Sequence, residues 1–414
     1  MMQSATRTAP HPASGLALPA SAPASARALF ALLRRLRVGT LDVQLPDGQQ
    51  MRFGSGAAAE PHAAVRLHNW QVCSAALRAG DIGFAESFIA GDWAASDLVA
   101  LLALFIANRA AVQAVVYGTW WGQLIHRVRH LLNRNSRAGS QRNIHAHYDL
   151  GNAFYRLWLD PTMSYSSAWF NGNPAQTTAS AQQAKMRRAL AECRLQPGDR
   201  VLELGCGWGG LAECAARDFG ARLTGVTLSA EQLAFGRQRL ADAGLDGLAQ
   251  LRFQDYRDIA DGPYDAIVSI EMFEAVGREY WASYFKILHD CLKPGGRACI
   301  QSITIDDALF ARYVAGTDFI QQYIFPGGLL PCPGAFRAEA AKAGLVVDNE
   351  LAFGPDYAET LRRWRQDFLH QDAQVRGLGF DTRFMRTWEF YLAYCEAAFA
   401  SGSTDVMQFT LRRP

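Results

Sequence analysis

Short apolar runs separated by amphipathic stretches fill the second two thirds of the chain. RVLEL (200–204), RLTGVTL (222–228), AQLRF (249–253), YDAIVSI (264–270) and RACIQSI (297–303) have the length and composition of buried strands. Between them, 230–243 and 280–292 place apolar residues at helical spacing. Strands that alternate with helices predict a parallel sheet covered on both faces, an α/β fold. Near the end, TRFMRTWEFYLAYCEAAFA (382–400) predicts a long apolar helix and DVMQFTL (405–411) a last strand.

The first third has a different rhythm. Residues 1–25 are rich in Ala, Ser and Pro without periodicity, which predicts a disordered tail. In RALFALLRRLRVGT, Leu29, Leu32, Leu33 and Leu36 share a helical face beside Arg34, Arg35 and Arg37. Such a helix can pack on its own domain or touch a membrane surface. LDVQLPDGQQMRFG alternates around Asp47-Gly48, a hairpin signal. Residues 26–117 therefore form a small α+β domain. A linker over 118–143 carries Arg127, Arg129, Arg134, Arg137 and Arg142 with His126 and His130. These charges suit anionic lipid headgroups or a solvated connector. A catalytic domain occupies 144–414.

Composition narrows the function classes. The chain has 414 residues with 41 Lys and Arg against 39 Asp and Glu, a net charge of +2. That balance gives no reason to expect a nucleic-acid partner. Eight cysteines are scattered without a CxxC pair, so neither a zinc cluster nor a disulfide framework is expected, and the thiols read as reduced and cytoplasmic. The most apolar stretch, 98–107, is too short to span a bilayer. His145, His147 and Asp149 lie close together, but no further ligand follows at metal spacing, so no metal is expected.

The chemistry centres on VLELGCGWGG (201–210). An apolar strand ends in an acid, Glu203, followed by Gly205, Gly207 and Gly209. Glycines let the backbone turn tightly and approach a ligand at the sheet's carboxyl edge. A dinucleotide fold would place GxGxxG here and an acid at the end of the second strand, but that strand runs GVTLS. ExGxGxG instead resembles the first motif of class I S-adenosylmethionine-dependent methyltransferases. A carboxylate beside the loop would offset that cofactor's cationic amino-acid part.

Further motifs sharpen the likeness: HYDLGNAFYRLWLDPTMSYSSAWF (147–170), GVTLSAEQ (225–232), QDYRDI (254–259), MFEAVG (272–277), YIFPGG (323–328) and DYAETLRRW (356–364). Together they resemble the cyclopropane-fatty-acyl-phospholipid synthases and mycolic acid cyclopropane synthases, over roughly residues 80–412. GFAESFIAGDW (83–93) matches the small N-terminal domain of the longer members. The resemblance implies a class I methyltransferase Rossmann-like sheet with a small α+β N-terminal domain. It also implies a soluble enzyme at the inner face of the membrane, an unsaturated phospholipid surface as partner, and a homodimer. The expected reaction is transfer of a methylene from S-adenosylmethionine to a cis double bond. The alternatives are a methylene- or methyl-branched product and, further off, a soluble small-molecule substrate or a lipid-binding protein.

Carried over residue by residue, cofactor contacts fall on Tyr165, Ser166, Glu203, Gly205, Gly207, Gly209, Thr227, Gln232, Asp255 and Tyr256, while Ser229 fits a helix cap. Family members hold a bicarbonate ion as base, which makes bicarbonate a second expected cofactor. Glu274 and Tyr357 match its pocket. Ser167 stands at the cysteine position, Gln301 at the histidine position, and Ala275 where many members carry histidine. Ser167 and Gln301 can hydrogen-bond an oxyanion, but Gln301 cannot act as a base. Cys395 falls where members carry cysteine; it reads as a candidate nucleophile or as core packing. Trp169, Phe170, Phe273, Tyr323, Phe325 and Phe353 are candidates for an acyl tunnel or for ordinary core.

Overall fold

The computed structural model describes residues 17–54, 61–111 and 150–414. Most of the expected tail, the whole linker over 118–143, and His145, His147 and Asp149 lie outside the described residues. The chain divides into two compact units, Met1–Thr119 and Trp120–Pro414.

The described residues of the first unit form a four-stranded sheet with three helices: α1 (Ala24–Leu33), β1 (Thr40–Gln44), β2 (Gln50–Gly54), β3 (His62–Leu67), α2 (Gln71–Ala90), β4 (Trp93–Ala95) and α3 (Leu98–Ala107). The strand order is β2-β1-β3-β4, with β1 and β3 parallel. The Asp47-Gly48 hairpin forms as expected, and Gly48 supplies the positive φ of 89°. Helix α1 turns Leu29, Phe30 and Leu33 inward and leaves Arg34, Arg35 and Arg37 exposed, so its apolar face belongs to its own unit. Asp97 caps α3 through the Ala100 amide, and Asn108 ends it. The Asn108 amide accepts from the backbone of Arg37 and Val38 and donates to Val38 O at 2.7 Å, tying the two ends of the unit together. No described helix is long and apolar enough to cross a membrane.

The second unit holds a seven-stranded sheet of β5 (Arg200–Leu204), β6 (Arg222–Thr227), β7 (Ala249–Phe253), β8 (Tyr264–Ile270), β9 (Leu292–Ile305), β10 (Val346–Ala352) and β11 (Thr404–Arg412). Its principal helices are α4 (Thr178–Glu192), α5 (Gly210–Phe219), α6 (Ala230–Asp242), α7 (Trp281–Cys291), α8 (Pro333–Lys342), α9 (Gly354–His370) and α10 (Thr382–Ala400). The order is β10-β11-β9-β8-β5-β6-β7, parallel from β7 to β9, with β11 antiparallel to both neighbours.

Alternation along the strands builds a core on each face. On β5 and β8, Leu202, Leu204 and Ile267 join one cluster, while Val201, Ala266 and Val268 join the other. All five expected parallel strands are present. Strand β9 is longer than its apolar run, because LKPGG (292–296) already belongs to it. Strand β10 has no counterpart among the expectations. It is an edge strand whose positions are all exposed or half-buried, so no apolar period marks it.

Candidate active site

The parallel strands β5, β6 and β8 end at one concave pocket. Glu203 lies at the end of β5, buried, with Oε2 lacking any hydrogen-bond partner. Burial alone pushes its carboxyl up to about 8. Gly205 and Gly207 follow with φ of 79° and 48°. A Cβ on Gly205 would come within 2.9 Å of the Met272 side chain, so the tight turn needs glycine twice over. Gly207 has open space where its Cβ would stand, which leaves bare backbone towards the pocket. Gly209 does not line the pocket. Its φ is 80°, and a Cβ there would meet Gly236 Cα at 3.2 Å, so it packs the loop against α6.

The remaining expected contacts sort by segment. Thr227 and Gln232 line the pocket from β6 and α6, joined by a 3.0 Å hydrogen bond from the threonine hydroxyl. Ser229 caps α6 at the Gln232 amide. Tyr256 lines the pocket after β7. Asp255 does not; its carboxylate accepts from Arg257, at 2.8 and 2.6 Å, and Arg257 is the residue that reaches the pocket. Tyr165 and Ser166 close the opposite side. Lys185, fully buried on α4, donates to Ser166 Oγ at 2.6 Å, and burial lowers its ammonium to about 8. The Tyr165 hydroxyl pairs with that of Tyr391 at 2.7 Å, and its ring sits among Tyr155, Trp158, Trp364 and Phe325. Of the aromatics considered for a tunnel, Phe325 belongs to this wall. Phe273 is core, packed on Trp281, Tyr284 and Phe336.

The residues expected to hold an anion converge on a side chain that sequence reasoning passed over. Glu271 stands one residue beyond β8, between the motifs YDAIVSI and MFEAVG. The Ser167 amide donates to its Oε1 at 2.9 Å, Gln301 Nε2 to Oε1 at 2.7 Å, and the Tyr357 hydroxyl to Oε2 at 2.8 Å. Gln301 is oriented by Gln408, whose amide donates to its Oε1 at 3.0 Å. Burial holds the Glu271 carboxyl above its ordinary value, and Lys185 and the three donors offset only part of that rise. Glu271 lines the pocket, whereas Ser167, Gln301 and Tyr357 stand behind it.

Glu274 points elsewhere. Its Oε1 accepts from the Ile303 amide, its Oε2 is buried without a partner, and burial and the Glu271 charge push its carboxyl up to about 8. At neutral pH it holds a proton. Cys395 lies on α10, and burial pushes its thiol far above the range of a nucleophile. A signal for Glu271 existed in the sequence: an acid at the carboxyl end of a parallel strand, where such sheets bind ligands.

An acid and a glycine turn at the end of the first parallel strand, in a sheet with one antiparallel strand next to its edge, define a class I S-adenosylmethionine-dependent methyltransferase. The chain belongs to the mycolic acid cyclopropane synthetase family, whose model matches residues 135–409. It is 42% identical to the tuberculostearic acid methyltransferase UfaA1 of Mycobacterium tuberculosis, over 81% of this chain and 80% of that protein. It is 32% identical to the cyclopropane-fatty-acyl-phospholipid synthase of Escherichia coli K12, over 90% of this chain and 96% of that one. Among solved structures, the mycolic acid cyclopropane synthase CmaA1 in complex with SAH and CTAB superposes with a TM-score of 0.62 at 33% identity, covering 66% of this chain and 98% of that one. The pocket fits S-adenosylmethionine: the partnerless Glu203 oxygen suits a cationic group, and Gly207 leaves open space beside bare backbone for a bulky cofactor.

Proposed function

We propose that this enzyme methylates a cis double bond in a lipid acyl chain and releases a methylene- or methyl-branched chain. S-adenosylmethionine supplies the electrophilic methyl group. An alkene is a weak nucleophile and its methylation leaves a carbocation, so the chain's own residues must keep the site dry, offer negative potential and remove a proton. The aromatic wall around Tyr165 serves the first need, and the Glu271 carboxylate serves the second.

The observation that carries the branched product over a cyclopropane is the rebuilt anion pocket. The residues at the cysteine, histidine and tyrosine positions of the cyclopropane-forming pattern are all turned onto Glu271. The relative named as a tuberculostearic acid methyltransferase supports the same reading. Ring closure is the second reading, favoured by the likeness to the E. coli synthase across nearly the whole chain. Arg34, Arg35 and Arg37, exposed beside a helix whose apolar face is already buried, support electrostatic contact of the small unit with anionic lipid.

Product analysis tests this. The purified protein is incubated with vesicles of monounsaturated phospholipid and S-adenosylmethionine labelled with 13C, or deuterium, in the transferred methyl. A 13C signal in the alkene or methyl-branch region is the expected result, and one in the cyclopropane region overturns the branched reading. Loss of one deuterium would place the departing proton on the transferred carbon.

A further inference from the structure

Glu271 has more invested in it than packing requires. It is not glycine, yet its φ is 50°, a left-handed conformation that a side chain of this size rarely adopts. Strain of this kind persists where the surroundings over-determine a residue, and it gathers at functional sites. Here the surroundings are three donors from three segments, plus a buried lysine whose charge acts on the carboxylate. All of this holds one carboxylate at the wall of the cofactor pocket.

We propose that Glu271 is the base of the reaction, standing in the place the family resemblance assigns to bicarbonate, so that the enzyme works without that ion. The inference rests on the proposed C-methylation. The alkene π pair forms the new carbon–carbon bond, and the carbon–sulfur pair leaves with sulfur. Glu271 then takes a proton from the methylated chain. The released C–H pair quenches the cation, after a 1,2-hydride shift where the product is a methylene. The other candidates fail on chemistry or place. Gln301 cannot take a proton, the Tyr357 hydroxyl is a donor to Glu271, Glu274 faces away from the pocket, and the Cys395 thiol is inert. Bicarbonate would need the donors that Glu271 already engages.

The test compares wild type, Glu271→Gln and Glu271→Gly in buffer stripped of carbon dioxide, with and without added bicarbonate. Glycine is at home at this φ, so Glu271→Gly relieves strain and vacates the carboxylate without threatening the fold. Wild type should turn over without bicarbonate and gain nothing from it. Glu271→Gln should bind S-adenosylhomocysteine within about threefold of wild type and lose roughly 10²–10⁴-fold in kcat, the usual worth of a positioned base. Glu271→Gly should recover part of its activity when bicarbonate is added. A wild type that stops without bicarbonate, or a Glu271→Gln variant within tenfold of wild type, overturns the proposal. Binding of 13C-labelled bicarbonate, followed by NMR, gives a readout free of turnover. Uptake by Glu271→Gly but not wild type supports the replacement, and uptake by wild type refutes it. If wild type makes no labelled lipid, the methylation reading falls, and the binding arm still decides whether Glu271 fills the ion's place.

Discussion

The two halves of this active site are built on opposite plans. The cofactor half is local at its centre: Glu203, Gly205 and Gly207 come from one strand and its turn, and Thr227 and Gln232 from the next strand and helix, while Tyr165, Ser166 and Tyr256 join from other segments. The proton half is assembled at long range. Its donors come from residues 167, 301 and 357, and they meet on a carboxylate at 271. Each half holds a buried acid, and the two differ in their partners. Glu203 Oε2 has none and burial holds its carboxyl up, so a cationic ligand is the partner that would draw out its charge; Glu271 is already saturated with donors, which suits it to hold a charge of its own and then a proton. Partnering, more than burial, separates a binding acid from a reacting one.

The largest expected effect that breaks this comparison lies in the local half. Gly205→Val puts a β-branched residue at φ 79° and drives its Cβ into Met272. The strain of about 1–3 kcal/mol and the blocked cradle should weaken S-adenosylhomocysteine binding by roughly 100-fold, read by calorimetry. Met272 directly follows Glu271, so the variant should also lower kcat at saturating cofactor. If binding is lost and kcat at saturation is untouched, the two halves are independent, and the contact between loop and base is incidental.

The plans also decide what the sequence could reveal. The glycine turn was readable because its three glycines and acid sit within seven residues and each has a backbone reason. Even there, pattern and role parted: Gly209 serves loop–helix packing, and Asp255 serves Arg257. The parallel strands were readable because burial on both faces forces continuous apolar runs. Strand β10 was not, since an edge strand needs no such run. Glu271 fell between a strand motif and a family motif; its place at the end of a parallel strand was the one local mark, and nothing local shows that its partners lie about 30 to 104 residues away along the chain. Motif likeness found those partners and assigned them to an ion, because likeness carries the neighbours of a site more readily than a change at its centre.

A smaller effect is expected from Tyr357→Phe, which removes one donor from the ionised Glu271. A hydrogen bond to a charged group contributes about 1.5–3 kcal/mol, so kcat at neutral pH should fall about tenfold or somewhat more with cofactor affinity unchanged. The pH profile carries the sharper reading. The groups facing Glu271 are Lys185, Glu274 and Tyr357, with the amide donors of Ser167 and Gln301. The tyrosine hydroxyl favours the anion, so its loss raises the carboxyl further. The acid limb of kcat should therefore move to higher pH, and activity should return as the pH rises. A limb that stays in place would mean that Tyr357 does not bear on the titrating base.

The smallest effect separates backbone from side chain at the cysteine position. Ser167 reaches Glu271 through its amide at 2.9 Å, while its hydroxyl turns away and donates to the Ala168 carbonyl at 2.9 Å. Ser167→Ala keeps the amide and deletes a bond worth about 0.5–1.5 kcal/mol to a neighbour that takes no part in proton transfer. It should cost less than about threefold in kcat and leave the pH profile in place. Were it to match Tyr357→Phe in size and in the shifted limb, the hydroxyl would have to turn towards the carboxylate during turnover. The proton half would then be a mobile cluster, in contrast to a cofactor half fixed by its glycines.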